Sequence, residues 1–67
     1  MKRQVLIYKK LAKHLIVDDI ILTYMGVVRS ISSVEEFTWR GNQMVEVTLQ
    51  NKQIIRFSPD DEILTVE

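Results

Sequence analysis

The side chains able to do chemistry are three adjacent carboxylate pairs, Asp18-Asp19, Glu35-Glu36 and Asp60-Asp61, a single histidine, His14, and the serines Ser30, Ser32, Ser33 and Ser58. Two carboxylates perform acid–base catalysis when both reach one substrate, one holding the proton that the other can accept. Neighbours on a strand point to opposite faces, so adjacent pairs do not converge in this way. One histidine and no cysteine leave a zinc site short of its three or four ligands. A Ser-His-Asp arrangement would need the same histidine, and none of the serines stands in a nucleophile elbow. Gly26 and Gly41 are the only glycines, so there is no glycine-rich phosphate loop, and the acidic turns do not match a calcium loop. The expectation is a protein that is not an enzyme and carries no cofactor or metal, with His14 a solvated residue beside Lys13 and the carboxylate pairs solvated turn residues.

Binding chemistry is better represented. The chain is neutral overall, yet residues 1–17 hold Lys2, Arg3, Lys9, Lys10 and Lys13 without an acid, while residues 18–67 set four bases against nine carboxylates. A basic segment can meet phosphate or an acidic partner, and an acidic body can meet a basic one. The plainer alternative is that the two patches pair within the fold. Trp39-Arg40, placed at a hairpin tip, could act as a stacking platform beside a cation, with Tyr8 and Tyr24 extending it and Lys9, Lys10, Lys13 and Arg29 on phosphates. Against this, a tryptophan at strand spacing is by default a core residue, closing one end of a small barrel.

These groups must be held by short strands. Val45, Val47 and Leu49 alternate with Glu46, Thr48 and Gln50, the period-two pattern of a strand with one buried face. A three-residue loop, Gln50-Asn51-Lys52, pairs Val47 with Ile55 and Val45 with Phe57, and sets Glu46 against Arg56 on the other face. A two-residue turn would mix the faces. Gly26 is the expected turn residue before a strand at Val27 to Ile31. Val34 to Trp39 continues that strand after a bulge or kink at Ser32-Ser33. A loop at Gly41 to Gln43 then places Trp39 opposite Val45 and Phe37 opposite Val47, on one core face with Leu49, Ile55 and Phe57. Residues 1–17 fit either an amphipathic helix or a strand; the reading carried forward is a strand over Gln4 to Lys9, then a helical turn over Leu11 to Leu15. Ile20 to Thr23 and Ile63 to Val66 read as strands approached through acidic turns. Ser58 is expected to cap a short helical turn with Pro59 at its first position.

The result is one domain over residues 1–67, all-β, with five or six short antiparallel strands and one or two helical turns in a strongly bent sheet or partly closed barrel. The longest apolar run, Val5 to Tyr8, is far short of the roughly 20 residues of a membrane span. With no cysteine to form disulfides, a cytoplasmic protein is expected. Stability must come from packing or from self-association, so a homo-oligomer is one expectation.

The stretch Lys13-His14-Leu15-Ile16-Val17-Asp18-Asp19-Ile20-Ile21-Leu22, followed by Gly26-Val27-Val28 and Ser30-Ile31, resembles the opening of small SH3-like β-barrels, including the KOW-type modules of translation and transcription proteins. The turn at Ser58 to Glu62 before a last strand is similar too. Asp18 stands where that family has the glycine of Gly-Asp, and Asn51-Lys52 where Asp-Gly is usual. In size and lack of motifs the chain is also similar to uncharacterised small proteins of phages and mobile elements. The resemblance implies an SH3-like barrel. The expected function is a binding module for a protein partner. Docking would use Glu35, Glu36, Asp60, Asp61 and Glu62, or a free strand edge. The alternative is a barrel that binds RNA or DNA through Lys9, Lys10, Lys13, Arg29, Trp39 and Arg40. Neutral net charge favours the protein partner.

Overall fold

The structure, a computed structural model, describes residues 6–23, Gly26 and residues 28–67. The expectations placed on Lys2, Arg3, Gln4, Val5, Tyr24 and Val27 lie outside the described residues. The fold is all-β. Among the described residues its strands are β1 (Ile7–Leu11), β2 (Ile20–Leu22), β3 (Val28–Trp39), β4 (Asn42–Leu49), β5 (Ile54–Phe57) and β6 (Glu62–Val66), and a turn of 3-10 helix lies at Ala12–His14. All six are antiparallel in one sheet, ordered β1-β6-β2-β3-β4-β5. The sheet does not close into a barrel, because β1 and β5 end the order with one edge each unpaired. No helix among the described residues is long and apolar enough to cross a membrane.

The β4–β5 hairpin takes the register that its alternation demands. Val45 faces Phe57, Val47 faces Ile55 and Glu46 faces Arg56. Lys52 closes the three-residue loop at a φ of 71°, and its N–H bonds the Leu49 carbonyl at 2.9 Å. The twelve-residue β3 bends where expected, its register with β4 shifting between Ile31 and Ser33. The carbonyls that the bulge frees are taken up locally. Ser32 Oγ donates to the carbonyl of Thr48 at 3.0 Å, and the Gln50 N–H to that of Ser30 at 2.9 Å.

The β3–β4 hairpin departs from expectation. It turns on two residues, Arg40 and Gly41, with φ of 51° and 79°. Positive φ at both central positions makes a turn whose twist matches the strands it joins. The register becomes Trp39 opposite Asn42, Phe37 opposite Met44 and Val34 opposite Val47. Val45, Val47 and Leu49 are buried as expected, and Ile55 and Phe57 pack against them, but Phe37 and Trp39 lie on the other face. The core is built instead from Ala12, Leu15, Ile21, Ile31, Val45, Val47, Leu49 and Ile63. Val34 takes the place on β3 assigned to Phe37, because the bulge lets Ile31 and Val34, three positions apart, both face inward.

At the N-terminus the strand reading prevails over the helix for Ile7–Leu11, and the helical turn follows at Ala12–His14. That turn is hooked to the far end of the chain by Ala12 N–H to the Asp61 carbonyl (2.9 Å) and Lys13 N–H to the Pro59 carbonyl (3.0 Å). The helical turn expected at Ser58 is a β-turn. The Asp61 N–H bonds the Ser58 carbonyl at 3.0 Å, with Pro59 second in the turn. The cap runs in the opposite sense, with the Asp61 carboxylate accepting the Ser58 N–H at 2.9 Å. The strands expected after the acidic turns at Asp18-Asp19 and Asp60-Asp61 do form, as β2 and β6, and they pair with each other, Ile20 with Val66 and Ile21 with Thr65.

The turn before β2 has a demanding conformation. Asp19 N–H bonds the Ile16 carbonyl at 3.2 Å, and Asp18, third in the turn, has a φ of 76°. Asp18 N–H donates to the Ile31 carbonyl (3.0 Å) while Ile31 N–H donates to the Asp19 carbonyl (2.8 Å). Two residues therefore oppose one, a bulge whose first position ordinarily takes glycine. An L-residue held there costs about 1–2 kcal/mol. Asp18→Gly is therefore expected to raise stability by about 0.5–1 kcal/mol once glycine's greater unfolded-state freedom is subtracted. Asp18→Val is expected to lower it, both read from urea unfolding midpoints.

Candidate functional site

The aromatic residues are arranged by strand parity. On the outer face of the β3–β4–β5 portion, Glu35, Phe37 and Trp39 alternate with the inward Val34 and Glu36, and Met44, Glu46 and Arg56 share that outer face through the pairs Phe37–Met44, Glu35–Glu46 and Glu46–Arg56. Trp39, the one tryptophan, is 54% exposed. The Arg40 guanidinium lies over its ring, 4.5 Å from the centroid, and the Arg56 guanidinium lies 5.8 Å from the centroid of Phe37. Each is within cation–π range. Phe37, Trp39, Met44 and Arg56 line a shallow cavity of about 170 Å³. Arg56 also bonds Glu46 through Nε at 3.0 Å, which offsets the repulsion between Glu46 and the facing Glu35. The surface thus combines an exposed indole, a phenyl ring and a thioether with two positioned guanidinium groups.

Three further cations pair with acids elsewhere in the chain. Lys9 pairs with Glu62 at 3.5 Å, Lys10 with Asp19 at 2.7 Å and Lys13 with Asp60 at 3.2 Å. Each pair joins a base from the cationic N-terminal segment to an acid from the rest of the chain. Lys10 and Asp19 are the most enclosed, their side chains 22% and 14% exposed, and the Asp19 carboxylate also accepts the Ile16 N–H at 3.0 Å.

The residues expected to contact nucleic acid are consequently not brought together. Lys9, Lys10 and Lys13 are held in pairs on β1 and the turn after it. Arg29 lies near the opposite end of β3 from Trp39, and its guanidinium donates to the neighbouring Val28 carbonyl at 3.0 Å. Tyr8 is exposed on β1, in a different part of the sheet from Trp39. Only Trp39 and Arg40 meet. The expected docking acids are spread as well. Glu35 and Glu36 are on opposite faces of β3, Asp60 and Glu62 face lysines, and Asp61 caps its own turn. His14 is exposed, and with Lys13, Glu36, Gln43 and Pro59 it borders a cavity of about 290 Å³ on the inner side of the hairpin. Among the described residues no three His, Asp or Glu side chains are grouped to hold a metal.

Phe37, Met44 and Arg56 were absent from the sequence-derived set, although a signal for them existed. With Val34 taken as an inward residue, alternation alone sends Phe37 and Trp39 outward together. No family model, curated protein or solved structure matches the chain.

The enclosed pair and the exposed pairs should respond differently to mutation. Asp19→Ala removes a lysine partner and a backbone acceptor at once and is expected to cost about 2–3 kcal/mol. Lys13→Ala breaks an exposed pair and is expected to cost less than about 1 kcal/mol. Urea denaturation of the two variants side by side measures both.

Proposed function

We propose that the protein is a non-enzymatic binding module whose contact surface is the outer face around Trp39, and that its partner is another protein. The observation carrying this reading is that the bulkiest side chain of a chain with a small core is left outside it, on a rigid hairpin, with an arginine stacked on its ring. Tryptophan and arginine are the residue types that most often dominate protein interfaces, because a flat, stiff ring buries much area at little entropic cost. Phe37 and Met44 supply a contiguous apolar floor, and Arg40, Arg56 and Glu46 a polar rim that would orient the partner. The internal pairing of Lys9, Lys10 and Lys13 argues in the same direction, since phosphate binding would have to break those pairs.

A second reading survives on one specific observation. A guanidinium stacked on an exposed indole also suits a single-stranded nucleic acid, with a base on the ring and phosphate on the arginine. With so few free cations on that face, such binding would be weak and shallow in its salt dependence.

Because Trp39 is the sole tryptophan, its emission reports on this surface directly. Affinity capture with the intact protein is expected to retain a protein that Trp39→Ala loses. In the purified pair that variant should weaken binding by about 30-fold, the equivalent of roughly 2 kcal/mol. The stability of Trp39→Ala should stay within about 0.5 kcal/mol of the parent, as for an exposed residue. Trp39 emission that does not respond to single-stranded DNA or RNA fits the first reading. Quenching by nucleic acid that weakens with salt, together with capture unaffected by Trp39→Ala, would replace it with the second.

A further inference from the structure

The open seam of the sheet goes beyond the Trp39 face and shares only Arg56 with it. A groove of about 650 Å³ runs between β5 on one wall and the ends of β2 and β6 on the other. β4 contributes nothing to its lining, so it lies on the side of β5 that β4 leaves free. Its apolar walls include Ile54, Ile55 and Phe57 across from Leu22, Ile63 and Leu64. It opens where β2 and β6 part, since their register ends at Ile21–Thr65.

The backbone of β5 determines what could fill this groove. Leu49 N–H bonds the Gln53 carbonyl at 2.8 Å, and hydrogen-bonded and non-bonded pairs alternate along an antiparallel ladder. Ile55 and Phe57 are therefore the β5 residues that bond β4. Ile54 and Arg56 turn their N–H and C=O groups away from β4, toward the free edge, where no partner among the described residues meets them. Ile54 is also 56% exposed, an apolar residue on an unguarded edge. The other edge strand, β1, carries Lys9 and Lys10, the usual protection against strand addition.

We propose that this groove is a strand-addition site that takes an extended, uncharged polypeptide segment with apolar side chains at alternate positions. Two donors and two acceptors in strand geometry match the backbone of another strand, and alternate side chains of that strand would drop between Ile55, Phe57 and Ile63. The charge pattern selects against an ionic ligand. The ionised groups at the rim are one cation and one anion, Arg56 and Glu62, each in an ion pair with Glu46 and Lys9, so the groove presents no net charge to attract a charged segment. The walls select against a second copy of the chain. A folded copy offering its own β5 would present an Ile55 and a Phe57 already packed against its core, whereas a free segment has both faces available to the two walls.

The probe is a synthetic ten-residue peptide of alternating valine and threonine, blocked at both ends, titrated into the isotope-labelled full chain. The expected result is a saturable shift of the Ile54 and Arg56 amides, with their hydrogen exchange slowed at least tenfold. The same peptide N-methylated at alternate residues, which keeps the side chains and removes the edge donors, is expected to bind at least tenfold more weakly. Ile54→Pro deletes an edge donor without deleting a β4–β5 bond and should reduce affinity comparably. The N-methylated peptide supplies the same test on the unmutated chain if that variant does not fold. Equal binding of the two peptides, or no binding at millimolar peptide, overturns the proposal. So does protection of Ile54 and Arg56 that rises with protein concentration in the absence of peptide, which would give the edge to a second copy.

Discussion

The contact between Lys10 and Asp19 is the one on which the most of this structure depends. At 2.7 Å it ties β1 to the turn that leads into β2, and the same carboxylate accepts the Ile16 N–H. The Asp19 carbonyl takes the N–H of Ile31, the residue at which β3 begins to bend. One residue thus joins the first strand, the second strand and the bulge of the third. The eight buried apolar residues among those described, without a disulfide, could not easily orient three short strands by burial alone. A partly enclosed ion pair reinforced by a backbone hydrogen bond adds direction where burial adds only cohesion.

The same interaction changes the meaning of the charge distribution. A cationic beginning followed by an acidic remainder has the composition of a molecule with two docking patches. In the fold, Lys9, Lys10 and Lys13 meet Glu62, Asp19 and Asp60, so the asymmetry along the chain is converted into closure of β1 onto β6 and the neighbouring turns. What is left for recognition is mostly uncharged: the aromatic face around Trp39 on the outside of the β3–β4 hairpin, and the apolar groove along the free edge of β5. The two are adjacent consequences of one small sheet, too short of core to absorb its largest side chains and too short of strands to close.

The two hairpins show how much of this was legible in the residues. In β4 the alternation is strict, and one register places Ile55 and Phe57 of β5 against its apolar residues and Arg56 against Glu46; the structure has that register. In β3 the pattern is ambiguous. Val34 and the pair Phe37 and Trp39 have opposite parity, so only one set can face the core. Hydrophobicity favours the aromatics, but the Arg40-Gly41 turn and the bulge at Ser32-Ser33 favour Val34. The turn and bulge prevail because they set backbone twist for the whole hairpin, whereas turning two rings outward forfeits burial at two positions, part of which the stacked Arg40 and Arg56 restore.

By itself the sequence determined the all-β class, the bulge in β3 and the register of β4 against β5. Each follows from local alternation, glycine placement or steric preference within a few residues. Only the tertiary structure decided which acid meets which lysine, that Trp39 and Phe37 face outward, and that the sheet stays open between β1 and β5. Those outcomes turn on contacts between residues far apart in the chain, where many pairings are compatible with the same composition and only the geometry of the bent, open sheet selects among them.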